Sequence, residues 1–349
     1  MNEEVIQKTL DLYPIDYPFE TLLTRINADV PKTILNPDFQ RKYKWDKDGW
    51  RRSSKFIESC LMRIPLPSCY FAEDDNRKHL VIDGVQRLTT ITKFFNDEFA
   101  LEGLTTFKEL EGKKFSELGE YQAELESTTI RCIVLRKENS KKLIREIFSR
   151  LNQGAVKLTD QEIRHAIYPG KLDELIMDLS KTPEIESFGI TETSTRIKDG
   201  RENEEQVLRF FAFSEDINLE HYGDVLGQFL DNYMEKSSEI EDDQLLELKA
   251  KFEQAIHNCQ IVFGDTIFSD PTKERAKQGL VYYDLLMPTV GLLDTDIVTS
   301  KKEEIKAAYA ELFSEPAFGR TLSGGLQKKT SILRRRTLWA PLLESAIRD

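Results

Sequence analysis

Asp83, Gly84, Gln86 and Arg87 are the residues whose types and spacing most readily suggest chemistry in this chain. They lie in VIDGVQRLTT, where an apolar run with strand character ends at Asp83-Gly84 and passes straight into an amphipathic segment. A strand that enters a helix through glycine leaves backbone N–H groups at the helix start, and such groups suit an anion, phosphate above all. Gly84 permits close approach to the backbone, and Arg87, one turn in, can supply a fork of charged donors. Asp83 either caps the helix or holds a metal ion; Arg87 either meets the ligand or pairs with a surface carboxylate.

Three further clusters bear on chemistry. NPDFQRKYKWD brings Gln40, Arg41, Tyr43, Lys44 and Trp45 within six residues. Interleaved aromatic and basic side chains can stack a base and hold a phosphate, or the two rings pack into the core while Lys42 and Lys44 stay solvated. In IFSRLNQGAVKLTDQEIRHA, Asn152 and Gly154 mark a turn, and Thr159 with Glu162 three residues on fits a capping box. Asn152 and Arg164 stay open to a binding role, although Arg164 can simply pair with Asp160 one turn back. From Arg320 to Arg336 the chain carries Lys328, Lys329, Arg334, Arg335 and Arg336 without an acidic residue. That run can meet DNA phosphates or an acidic subunit face, or form a solvated helix face; Trp339 beyond it belongs to the core.

The elements that must position these residues follow from periodicity. Between about Phe19 and Arg136, short apolar runs alternate with amphipathic segments, the pattern of an α+β domain. Trp50, Ser54, Ile57 and Leu61 recur at helical spacing over about 48–63, and IPLP stops that helix. Strands are expected near PSCYFAE, KHLVI and TTIRCIVLRK, with a helix at KKLIREIFSRLN. From TDQEIRHAI onward the pattern is almost wholly helical, through KLDELIMDLS, NEEQVLRFFAF, DDQLLELKAKFEQAIHNCQIVF and LVYYDLLMPTVGLL. The division reads as an extension over 1–18, an α+β domain over 19–170 and a helical domain over 171–349.

Composition removes several classes. A net charge of −12 argues against a general electrostatic grip on nucleic acid, so any DNA contact needs a local patch. The four cysteines, Cys60, Cys69, Cys132 and Cys259, are widely separated and form no C-x-x-C pair, so neither a zinc ribbon nor a disulfide framework is indicated, and a reducing cytoplasm fits. No run approaches the roughly 18 apolar residues of a membrane span, and the acidic start MNEEVIQKTLDLYP is unlike a secretory signal. There is no G-x-x-x-x-G-K-[ST] loop and no G-x-G-x-x-G; His79, His165, His221 and His257 form no H-E-x-x-H or zinc-like array and read as ordinary residues.

In this order and spacing, DFQRKYKW, the helix ending RIPLP, VIDGVQRLTT followed by FFNDEF, and IFSRLNQGAVKLTDQEIRHA resemble the N-terminal domain of GmrSD-type restriction proteins. The resemblance covers about 19–170 and implies a ParB/sulfiredoxin-like fold, with VLRFFAF as its helical continuation. It further implies nucleoside triphosphate hydrolysis with Mg²⁺, coupled to restriction of modified phage DNA. The family's D-G-Q-Q-R element falls on Asp83, Gly84, Val85, Gln86 and Arg87, with Val85 in place of the first glutamine, so binding without turnover is one expectation. Carried over in this way, Asp83, Gln86 and Arg87 are the catalytic candidates, Asp83 also the Mg²⁺ ligand, and Gln40, Arg41, Gly84 and Asn152 the nucleotide-binding set. No histidine and metal constellation of the HNH nuclease type is visible after residue 170, so the expectation is a stand-alone sensor or NTPase subunit, self-associating or working with a separate effector nuclease. Two rivals remain: a non-enzymatic DNA-binding or modification-reading module, and a structural subunit.

Overall fold

The computed structural model describes residues 9–35, 43, 45–46, 49–151, 159–189, 201–215, 219–274 and 277–348. The chain divides into two compact units, Met1–Leu158 and Thr159–Asp349. The division falls about a dozen residues before the boundary expected at 170. The helix that carries Arg164 is therefore part of the second unit.

The first unit is built on a five-stranded mixed sheet in the order β1-β5-β3-β4-β2. Its strands are β1 Leu12–Pro18, β2 Thr33–Ile34, β3 Cys69–Glu73, β4 His79–Asp83 and β5 Thr129–Leu135, and its helices are α1 Phe19–Ile26, α2 Arg51–Leu61, α3 Val85–Phe95, α4 Tyr121–Ser127 and α5 Lys141–Leu151. β3 runs antiparallel to β4 and parallel to β5, and β1 closes the other edge antiparallel to β5. Alternation places Phe71, Val81, Ile130 and Val134 in the core, where Ile57 of α2 and Leu88, Ile91 and Phe94 of α3 meet them. Trp50, at the start of α2, lies flat on Phe99 with ring centroids 4.4 Å apart.

One buried charge fixes this core. Glu58 of α2 is 4% exposed and accepts hydrogen bonds from the backbone N–H of Thr105 at 2.8 Å, Thr106 at 2.6 Å and Phe107 at 3.2 Å. Burial acts to raise its pKa, but these donors outweigh it and leave the carboxyl below its ordinary value.

The described part of the second unit is helical: α6 Asp160–Ile167, α7 Lys171–Leu179, α8 Pro183–Glu186, α9 Glu202–Phe213, α10 Leu226–Lys236, α11 Asp242–Phe263, α12 Leu280–Leu286, α13 Thr295–Ser300, α14 Lys302–Leu312, α15 Pro316–Thr321 and α16 Lys329–Ile347. The expected capping box holds: Thr159 Oγ1 accepts from the N–H of Glu162, and Glu162 returns a bond to the N–H of Thr159 at 2.7 Å. LVYYDLLMPTVGLL is two elements rather than one, because α12 ends at Leu286 ahead of Pro288 and a short 3₁₀ turn follows over Val290–Leu292. Trp339 is fully buried, as expected, and donates from its indole nitrogen to Thr289 Oγ1 at 3.0 Å.

Candidate functional site at the strand-to-helix turn

The turn after β4 forms as its sequence suggests. Gly84 is the N-cap of α3 with φ +100°, a conformation that strongly favours glycine. A Cβ on Gly84 would stand 2.3 Å from Cys69 Sγ, so the side of this glycine that lacks a side chain is occupied by the neighbouring strand. The N-cap is Gly84 itself, which has no side chain to cap α3, and the Asp83 carboxylate is bonded to Arg87. The first intrahelical bond is Leu88 N–H to Gly84 C=O at 2.9 Å, and the amides ahead of it have no acceptor within the helix.

Arg87 reaches back over the turn. It donates from Nη2 to Asp83 Oδ2 at 3.0 Å and to Ser68 C=O at 3.2 Å, and from Nη1 to Pro67 C=O. Its side chain is 13% exposed against 45% for Asp83, so the guanidinium clamps the start of β3 to the end of β4 while the carboxylate is held at the surface. Gln86 is half-buried, and its carbonyl accepts from Thr90 Oγ1 at 2.8 Å. Val85 is half-buried and packs against the core.

Cys69 and Cys132 face each other in the parallel register of β3 and β5, both buried. The neighbouring Cys69 thiol, and then burial, push Cys132 well above its ordinary pKa. The floor of the turn is thus a pair of packed thiols.

Of the upstream cluster, Tyr43 and Trp45 lie among the described residues, while Gln40, Arg41, Lys42 and Lys44 lie outside them, as do Asn152 and Gly154. Tyr43 is 5% exposed and its hydroxyl bonds to Ser53 Oγ at 2.6 Å and Thr90 Oγ1 at 2.7 Å, linking this segment to α2 and α3. Burial raises its pKa, so the phenol stays protonated. Trp45 is half-buried, edge-on to Phe56 at 5.7 Å and under the guanidinium of Arg52 at 5.0 Å. The structure therefore places Tyr43 in the core and leaves Trp45 partly accessible.

The basic run near the end of the chain does not present five side chains together. Arg335 is 3% exposed and donates to the carbonyls of Thr321 at 3.1 Å and Leu326 at 2.6 Å. Arg336 donates to Phe213 C=O, and Lys329 Nζ to Glu220 C=O at 2.6 Å. Lys328 and Arg334 are exposed.

Sequence reasoning missed the charged interior of the second unit. Where pairing with Asp160 was one expectation, the guanidinium of Arg164 binds Gln161 Oε1, Glu205 Oε2 and Asp231 Oδ1, each at 2.9 Å. Arg209 is 2% exposed and makes a two-pronged pair with Asp284. His165 Nδ1 lies 2.7 Å from Asp173 Oδ2, and with Glu204 they bring three potential ligand atoms within 4.8 Å of one another, although Arg201 already bonds both oxygens of Glu204. The carboxylates that hold Arg164 and Arg209 lie 41 to 75 residues away in the chain, so no short motif could have announced them.

Comparison with known families gives a match to the GmrSD restriction endonuclease N-terminal domain over residues 19–169. Comparison with curated proteins and with solved structures gives no match.

Proposed function

Taking residues 19–169 as a GmrSD-type N-terminal domain, which ties the chain to restriction-type defence, we propose that it binds and hydrolyses a nucleoside triphosphate at the turn after β4, as the regulatory subunit of an anti-phage system. The observation that carries this reading is a helix that starts at a left-handed glycine beside an outward-held carboxylate at Asp83, in the segment that resembles the family's D-G-Q-Q-R element. The residues present fit Mg²⁺, which usually keeps several waters and takes one or two carboxylates beside substrate phosphates; Asp83 would hold it, and the ion would neutralise charge on the transferred phosphoryl group. Arg87 orients Asp83 and fixes the turn, and the backbone at the start of α3 binds phosphate oxygens. Gln86 supplies an amide beside them. Gln40, Arg41 and Asn152 complete the nucleotide pocket in this proposal, and DNA cutting falls to a separate effector nuclease.

The test is phosphate release by the purified chain with each of the four ribonucleoside triphosphates and Mg²⁺, comparing wild type with Asp83→Ala and Arg87→Ala. Turnover that falls at least tenfold in Asp83→Ala, with unfolding temperature unchanged, supports the reading. Absence of turnover by wild type, with and without DNA, overturns it. In that case salt-dependent DNA binding sensitive to Lys328→Glu and Arg334→Glu would favour the binding-module reading.

A further inference from the structure

His165, Asp173 and Glu204 come from three helices of the second unit, α6, α7 and α9, and their side chains converge: one ligand atom from each lies within 4.8 Å of the other two. Unlike a surface cluster of acids, this one includes an imidazole and has an interior member. Asp173 is 3% exposed, and while its Oδ2 lies 2.7 Å from His165 Nδ1, its Oδ1 accepts no hydrogen bond. A buried carboxylate oxygen without a donor is among the costlier groups to leave unsatisfied, so it calls for a positive partner. Burial also raises the pKa of Glu204 even with the guanidinium of Arg201 against it, so that one cation does not fully compensate the carboxylate.

The donor set narrows the ion. One imidazole nitrogen with two carboxylates suits Zn²⁺, which takes both ligand types, better than Mg²⁺ or Ca²⁺, which take oxygen ligands. Two negative charges match a divalent ion, and a neutral imidazole adds none. Ligand atoms about 2 Å from a tetrahedral ion stand roughly 3.3 Å from one another, so the contact between His165 and Asp173 has to widen slightly, a shift that side-chain rotation can supply. The side chain of His165 is 19% exposed and opens the cluster to solvent. Arg201 is the competitor: its Nη1 bonds both oxygens of Glu204 at 2.6 Å, and an ion at this carboxylate must displace it.

We propose that His165, Asp173 and Glu204 form a zinc site that ties α6, α7 and α9 together, with the ion taking the place of Arg201 at Glu204. The site belongs to the second unit and does not rest on the phosphate chemistry proposed at Gly84.

Isothermal titration of the chelator-treated full chain with ZnCl₂ tests it. The expected result is one equivalent of zinc bound at micromolar concentration or below, not displaced by excess MgCl₂ and accompanied by a rise in unfolding temperature. Asp173→Asn, which keeps the shape but not the charge, and His165→Gln should each weaken binding about tenfold or more. Arg201→Gln should tighten it by removing the competing cation, and Asp83→Ala should leave it unchanged. His165 is partly exposed, so His165→Gln spares the core and decides the matter if Asp173→Asn does not fold. Absence of zinc binding overturns the proposal. So does binding that survives His165→Gln, which marks an adventitious site elsewhere on the chain, binding that Arg201→Gln fails to tighten, or binding that is lost in Asp83→Ala.

Discussion

The two units handle charge in opposite ways. In the first, the Arg87–Asp83 pair sits at the rim of a β-sheet, with the carboxylate 45% exposed and the guanidinium also satisfied by backbone carbonyls. In the second, Arg164 and Arg209 are 1% and 2% exposed and are held by carboxylates from other helices. A rim pair is screened by water and can exchange partners, which suits a group that must meet a ligand. An interior pair cannot: removing either member strands a charge at low dielectric. The difference teaches that the conspicuous arginine of the motif and the arginines on which folding depends are different residues.

The sharpest way to break this contrast is to remove an interior partner. Arg209→Met leaves Asp284 buried and unpaired and should cost about 3–5 kcal/mol, seen as a large fall in urea midpoint with loss of amide protection in α9 and α12. A cost no greater than that of Arg87→Met would end the distinction. Next in size, Gly84→Ala places a methyl group against Cys69 at a positive φ and should cost about 2–4 kcal/mol; Cys69→Ala introduced beside it should recover part of that loss if the clash is with the thiol.

Glu58 gives the first unit its own interior charge and a pH signature. Its folded pKa lies below the ordinary value, so its contribution is complete above the unfolded pKa of about 4.3 and is lost as pH falls through that value toward the folded one. Wild type should therefore lose more stability between about pH 5 and pH 3 than Glu58→Gln does, read from urea midpoints at each pH. Equal slopes would show that the three backbone donors do not favour the charged form. The smallest effect is expected at the rim, where Arg87→Lys keeps the charge but loses the fork and should cost about 1 kcal/mol while lowering phosphate release more than it lowers unfolding temperature.

Much of the first unit was legible in the chain. β3, β4, β5 and α2 lie within the expected segments, and α3 begins where the glycine signal put it, because local periodicity and proline or glycine punctuation set such elements. The candidate site was legible as a set of residues but not as a set of roles. VIDGVQRLTT shows Asp83, Gly84 and Arg87 in line; it does not show that Pro67 and Ser68 would claim the guanidinium or that Cys69 would occupy the glycine's open side. Likewise the basic run is contiguous in sequence, yet Arg335 is turned inward onto the carbonyls of Thr321 and Leu326, because a helix sends successive residues to different faces.

The sequence by itself thus determined an α+β region followed by helices, the turn at Gly84 and the capping box at Thr159, all of which depend on residues within a few positions of one another. Only the tertiary structure decided which arginine meets which carboxylate and which side of each cluster faces water. Those outcomes depend on residues such as Arg209 and Asp284, separated by 75 positions and joined only when helices pack, and pairing at that distance leaves no periodic trace in the chain.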